Sequence, residues 1–206
     1  MYTLGSIPIS IDENRLGFPL TSASRRTTIF RNFALGPVYD QGDKPICVDC
    51  ALRGLLAAEP VKQSPFKESE IYHAARKLDE TSESIEGSKL NFAVEFLKNK
   101  GIVRENFWTN KSYEVVDYLN KISPIVFSLP WYEKMNDPEK DGNLIPKGKL
   151  IGFHAVLGFR YDGLKNKIYI RNSWGKKWGV DGNAYLSLIN LDKLMNDGGI
   201  ACALVE

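Results

Sequence analysis

An α+β protein, with a helical lobe first and a lobe of antiparallel strands second, is the fold class this sequence predicts. Three observations predict it. Apolar residues recur at helical spacing between Cys47 and about residue 120, the pattern changes to short strand-like runs bounded by turns from Pro124 onward, and no internal repeat or low-complexity tract interrupts the change. The junction of two such lobes is a natural place for a cleft.

Residues 1–30 keep no steady period and carry Gly, Pro, Ser and the basic pair Arg25 and Arg26. They are expected to form an irregular arm on the surface, or partly in the cleft, ahead of a domain spanning 31–206. Four helices are expected in the first lobe, about 40–122. The first starts near Cys47, gathers Val48, Ala51, Leu52, Leu55 and Leu56 on one side, and stops before Pro60. The second groups Ile71, Ala74, Ala75 and Leu78. The third runs from a Ser88 cap through Leu90, Ala93, Val94 and Leu97 to Gly101, and the fourth from Ser112 through Val115, Val116 and Leu119. The second lobe, about 123–206, offers the strands "PIVFSL", "GFHAVLGFRYD", "KIYIRN" and "NAYLSL" with Gly-containing turns between them.

The chain has 206 residues and 43% hydrophobic content, enough for one sizeable core or two small packed lobes. Its net charge is +2, with no long run of one sign, which argues against a phosphate backbone or an anionic membrane as partner. A monomer is expected. The N-terminus lacks a basic stretch followed by an unbroken apolar run, and no segment approaches the roughly 18 apolar residues of a spanning helix. The expected location is cytoplasmic, or outside the cell by a route without a cleaved signal. Three cysteines are too few for a disulfide scaffold and suit a reducing compartment.

The stretch "YDQGDKPICVDCALRGLLAAE" places Cys47 and Cys50 at a helix start, with Gln41 six residues before the first. A redox pair, half a metal site and a nucleophile beside an oxyanion donor all fit that pattern locally. For a nucleophile the energetics are demanding. Lowering a thiol pKa from about 8.5 to about 4 takes roughly 6 kcal/mol, of which a helix N-terminus supplies about 0.3 to 2 kcal/mol. A nearby imidazolium is the usual source of the rest.

Only two histidines exist. His73 lies about 200° around its helix from Ile71, off the apolar face, and reads as a solvated residue. His154 sits on a strand in "IGFHAVLGF", where alternation commits it to one face. Eighteen residues on, Asn172 closes another strand; its side-chain oxygen is suited to accept from an imidazole N–H, with Trp174 placed to shield that bond.

Taken in order, "DQGDKPIC", "HAV" and "RNSWGKKWGVDGNAYLSL" resemble the papain family of cysteine peptidases, family C1, over about residues 30 to 206, and are most similar to a bacterial branch of it. The resemblance implies a two-lobe papain-like fold and a hydrolase that cuts peptide bonds through a thioester acyl-enzyme. It implies Cys47 as nucleophile, His154 as base and then acid, Asn172 as orienting residue, and Gln41 with the Cys47 N–H as oxyanion donors. Gly87, Ser88, Phe153, Ala155 and Trp174 are the implied substrate-binding positions, and Trp178 matches the second Trp-Gly. A peptide or protein is the expected substrate, and no metal or organic cofactor is expected.

The sequence also departs from the family. Lys44, Pro45 and Ile46 replace the usual Cys-Gly-Ser before the nucleophile, Asp49 enters the first turn, and bulky Phe153 is expected to narrow the non-primed side. An Asp49 carboxylate turned toward Cys47 would oppose thiolate formation. An oxidised Cys47–Cys50 pair is a subsidiary expectation, as a reversible off-state. A thioredoxin-type role is disfavoured because no strand leads into the CxxC, and a zinc site because no second ligand pair has suitable spacing. Amidases, acyl transferases and isopeptidases share this thiol–imidazole chemistry, and an inactive binding protein of the same fold is the alternative of a different class.

Overall fold

A computed structural model describes residues 2–12, 16, 31–79 and 84–205. The basic pair Arg25 and Arg26 lies outside the described residues. Among them a short β1 (Ser6–Ile7) precedes α1 (Cys47–Leu56), α2 (Glu70–Asp79), β2 (Ser88–Lys89), α3 (Leu90–Asn99), β3 (Glu105–Thr109) and α4 (Ser112–Lys121). The remainder is β4 (Ile125–Tyr132), β5 (Leu150–Asp162), β6 (Lys167–Arg171), β7 (Asn183–Ser187), α5 (Leu188–Asn196) and β8 (Ile200–Val205). The expected α+β architecture is borne out.

One mixed sheet runs β2-β1-β5-β4-β8-β3, with β6 joined to β5 and β7 to β6. It works as a partition. Because side chains alternate across a strand, Ile125, Phe127 and Leu129 of β4 and Val156 of β5 enter one core with α4, α5 and Trp131, Trp174 and Trp178. Val126, Ala155 and Leu157 enter the other core, against the buried sides of α1, α2 and α3. The same alternation separates His154, which faces the tryptophans, from Ala155, which faces α1. The residue that follows the imidazole therefore touches the helix that carries the thiol.

The four expected helices and four expected strands are all present, with instructive differences. Ile71 and Ala75 of α2 are buried, but Leu78, one residue before the helix end, is exposed. Ser88 is not a helix cap. It lies in β2, Lys89 precedes α3 in an extended conformation, and no side chain caps that helix. Helix α5 interrupts the run read as "NAYLSL": Ser187 leaves the strand, its hydroxyl accepts from Asn190 N at 3.2 Å, and Leu188 starts the helix. Strands β3 and β8 carry no alternation, because β8 is buried along Ile200–Leu204 and covered on both faces.

Candidate active site

Cys47 is the first residue of α1, and no side chain caps that end. The helix is held in place by Asp49, whose fully buried carboxylate turns away from Cys47. It accepts from Ile71 N at 3.0 Å, Ser69 N at 3.3 Å and Tyr72 N at 3.3 Å, and pairs with Arg53 at 3.4 Å. A carboxylate at the start of α2 is favoured by the exposed amides of that first turn. Burial nevertheless pushes its pKa up, against the pull of Arg53 and the three amides. The concern that Asp49 faces the thiol is thus removed, and the residue acts as the bolt between α1 and α2.

The Cys47 sulfur is buried and accepts from Ala155 N at 3.4 Å. His154 Nε2 lies 2.7 Å from Asn172 Oδ1, which also accepts from Ser173 N at 2.7 Å. An amide oxygen is only an acceptor, which puts the imidazole proton on Nε2 and leaves Nδ1 bare. Nδ1 is buried and has no hydrogen-bond partner. Trp174 lies over the ring at 4.6 Å and Trp131 meets it edge-on at 4.8 Å, so the His154–Asn172 bond is screened from water. Trp178 packs behind both tryptophans. Trp131 was not legible as a site residue, since "PWYE" offered no motif or spacing that tied it to the histidine.

Gln41 is buried and fully committed. Its Oε1 accepts from Ser173 Oγ at 2.6 Å, and its Nε2 donates to Lys44 O at 2.8 Å and to Thr3 O at 3.0 Å. Ser173, unremarked in the sequence, fixes the orientation of that amide. The other implied binding positions line the same cleft: Gly87 with φ of 101°, Ser88, Phe153 on β5, Ala155 and Trp174. His73 is exposed on α2 and apart from this cluster, as its helical phase required.

The cleft is filled by the start of the chain itself. Tyr2 stacks on Trp174 at 4.2 Å and 7° between planes, and the Thr3 carbonyl takes the Gln41 amide. The Gly5 backbone lies beside the Cys47 sulfur, and Gly5 O accepts from Ser88 N at 2.9 Å. Ser6 and Ile7 then pair in parallel with Ser88 and Lys89, while Ser6 also pairs with Phe153 in antiparallel sense. Glycine is required here, because a Cβ on Gly5 would stand 2.3 Å from the Pro45 carbonyl carbon and oxygen. A Cβ on Gly87 would stand 2.6 Å from Gly5 O.

Enclosure sets the ionisation of the site. Burial pushes the Cys47 thiol up to about 11, opposed by the amides of Ala155, Gly5 and Val48. It also pushes His154 down to about 4, opposed by the bond to Asn172. Under this cover the pair is neutral thiol and neutral imidazole. Cys50 is buried nearby, beside Pro37, Tyr39 and Arg171, and burial and Asp49 push its thiol far up. All three cysteines are free thiols.

The helices and sheet that bring this thiol, imidazole–amide pair and glutamine together have a papain-like fold, as comparison with solved structures shows. The chain superposes on xylellain, a cysteine protease from Xylella fastidiosa, with a TM-score of 0.74 at 20% identity over 98% of this chain and 95% of that one. Digestive procathepsin L2 proteinase from the larval midgut of Tenebrio molitor gives 0.74 at 16% identity, covering 100% of this chain and 78% of that one. A cysteine protease of Carica candamarcensis, in complex with E-64, gives 0.66 at 17% identity over 84% and 94% of the two chains. No protein-family model and no curated protein sequence matches the chain.

Proposed function

We propose that this chain is a cysteine peptidase with Cys47 as nucleophile, His154 as general base and acid, Asn172 as orienting residue and Gln41 as oxyanion donor. His154 Nδ1 takes the thiol proton as Sγ attacks the carbonyl carbon of a substrate peptide bond. The carbonyl electron pair moves onto oxygen, where the Gln41 Nε2–H and the Cys47 N–H receive it; one such donor is worth about 2.7 to 4 kcal/mol in the transition state. Collapse breaks the C–N bond, the leaving nitrogen takes the proton from His154, and a thioester remains. Water, deprotonated by His154, then releases the acid and restores the thiol.

The observation that carries this reading is the Thr3 carbonyl hydrogen-bonded to Gln41 Nε2 while the backbone beside it lies across the Cys47 sulfur. The cleft receives an extended peptide with a carbonyl at the glutamine. Residues 2–12, part of the arm, act in this reading as a cover. On the acyl side, which the family resemblance places along Gly87, Ser88 and Phe153, a substrate's residue numbers fall with distance from the nucleophile. Those of the arm rise from Gly5 to Ile7, so the arm lies backwards and does not present its own bond for attack.

Gly5→Glu in the full chain should expel the arm, because a side chain there runs into Pro45 backbone. This variant is expected to hydrolyse unstructured protein substrates faster than the parent chain, and adding Cys47→Ala or His154→Ala should abolish turnover. Undiminished cleavage by the Cys47→Ala form would refute the assignment.

A further inference from the structure

Asn136 tethers two tryptophans of the cluster packed on His154. Strand β4 ends at a register irregularity, with Trp131 paired to Gly152 and Tyr132 to Leu150, and one turn of 3-10 helix, Glu133–Asn136, follows at once. The backbone ties this turn to the segment before β5: Glu133 N donates to Lys149 O at 3.0 Å and Lys134 N to Lys147 O at 3.1 Å. Asn136 is thereby delivered to the indoles. Its Oδ1 accepts from Trp131 Nε1 at 3.0 Å, and its backbone oxygen accepts from Trp178 Nε1 at 3.0 Å.

Trp131, fully buried, is a diagonal neighbour of His154 across the β4–β5 pair, because its register partner is Gly152 and positions 152 and 154 lie on the same face. The bond from His154 to Asn172 fixes the imidazole at one atom only. The torsion that turns a histidine ring about its Cβ–Cγ bond is broad, so a ring tethered at Nε2 is free to tilt unless other groups wall it in. Trp174 and Trp131 are those walls, their planes inclined at 31° and 67° to the imidazole. Trp131 keeps its place only while its own N–H is satisfied, since a buried indole N–H without an acceptor is costly and draws the ring toward water. Asn136 Oδ1 supplies that acceptor.

We propose that Asn136 is a positioning residue: its side-chain oxygen locks the Trp131 indole, and the indole holds the His154 ring in the orientation that proton transfer with Cys47 needs. The kinetic consequence rests on the peptidase reading and deepens it, whereas the enclosure of the imidazole stands apart from it.

The test is Asn136→Leu, which keeps the backbone oxygen used by Trp178 and removes the acceptor of Trp131. The chain has two histidines, the buried His154 and the exposed His73, so ring-proton NMR follows each separately. In the full chain, Asn136→Leu should move the His154 titration up from about 4 toward the ordinary value of about 6.5 as water enters beside the ring, and leave the His73 signal unmoved. In the Gly5→Glu chain the same substitution should lower kcat on an unstructured protein about tenfold or more with KM little changed, since a misaligned proton acceptor slows the chemical step. Trp131→Phe keeps a ring but has no N–H to satisfy, so adding Asn136→Leu to it should have little further effect on either readout. Where the leucine variant does not fold, Asn136→Ser, whose hydroxyl is too short to reach the indole, carries the same expectations. A folded variant whose His154 titration and kcat match the parent overturns the proposal, and so does an effect of undiminished size in the Trp131→Phe background. If the Gly5→Glu chain hydrolyses no unstructured protein although its Cys47 reacts with chloroacetamide, the peptidase reading fails, and the His154 titration alone decides whether Asn136 positions the ring.

Discussion

At the scale of single residues, the thiol and the imidazole are inert for the same reason that they are well placed. Desolvation holds Cys47 near about 11 and His154 near about 4, which removes the ion pair from the covered form. Alkylation of Cys47 in the full chain should therefore rise steeply only above about pH 9, as thiolate begins to form. In the Gly5→Glu chain the rise should come several pH units lower, because water reaches the pair and the imidazolium regains its place beside the thiolate. Mass spectrometry of the labelled cysteine across pH separates the two profiles, and coincident profiles would show that the arm does not govern the thiol. His154 also leaves a signature in stability. Its pKa is about 6.5 in the unfolded chain and about 4 in the folded one. Between those values the unfolded state binds a proton that the native state refuses, and stability falls as pH drops from about 6.5 toward 4, by up to about 3 kcal/mol. Urea denaturation at several pH values, repeated with His154→Gln, should show that part of the acid sensitivity disappearing in the variant.

At the scale of elements, Asp49 joins α1 to α2. Replacing it with Ala strips the amides of Ser69, Ile71 and Tyr72 of their acceptor and leaves Arg53 without its carboxylate. A loss of about 3 to 5 kcal/mol is expected for breaking such a buried pair, measurable by chemical denaturation. The start of α1 was legible in the sequence because apolar residues at helical spacing begin just after Cys47. The partner of Asp49 was not, because an acidic residue in a first turn reads equally well as a local helix contact or as a brace to an element twenty residues on. Ser88 shows the same limit. Serine before "KLNFAVEFL" has the pattern of an N-cap, yet pairing with β1 takes its backbone and leaves the hydroxyl buried without a hydrogen-bond partner.

At the scale of the whole molecule, the sheet shared by two cores brings the site together, since consecutive residues of β5 serve opposite faces. Apolar runs set off by Pro and Gly made β4 and β5 readable, although β4 is buried along Ile125–Trp131 and keeps no period of two; β8, likewise buried along Ile200–Leu204, was not read from the sequence. Cys47, His154, Asn172 and Gln41 were legible as candidates because the resemblance rests on short motifs in fixed order, which needs little overall similarity; identity to the solved structures above is 20% or less. The sequence by itself determined the α+β class, the residue types of the candidate site and their order, because these depend on local spacing. Tertiary structure decided that Asp49 turns from the thiol, that Trp131 and Ser173 support the imidazole and the glutamine, and that Tyr2 to Ile7 fill the cleft. Those facts depend on which distant segments meet, and contacts across more than a hundred residues leave no period in the chain that makes them.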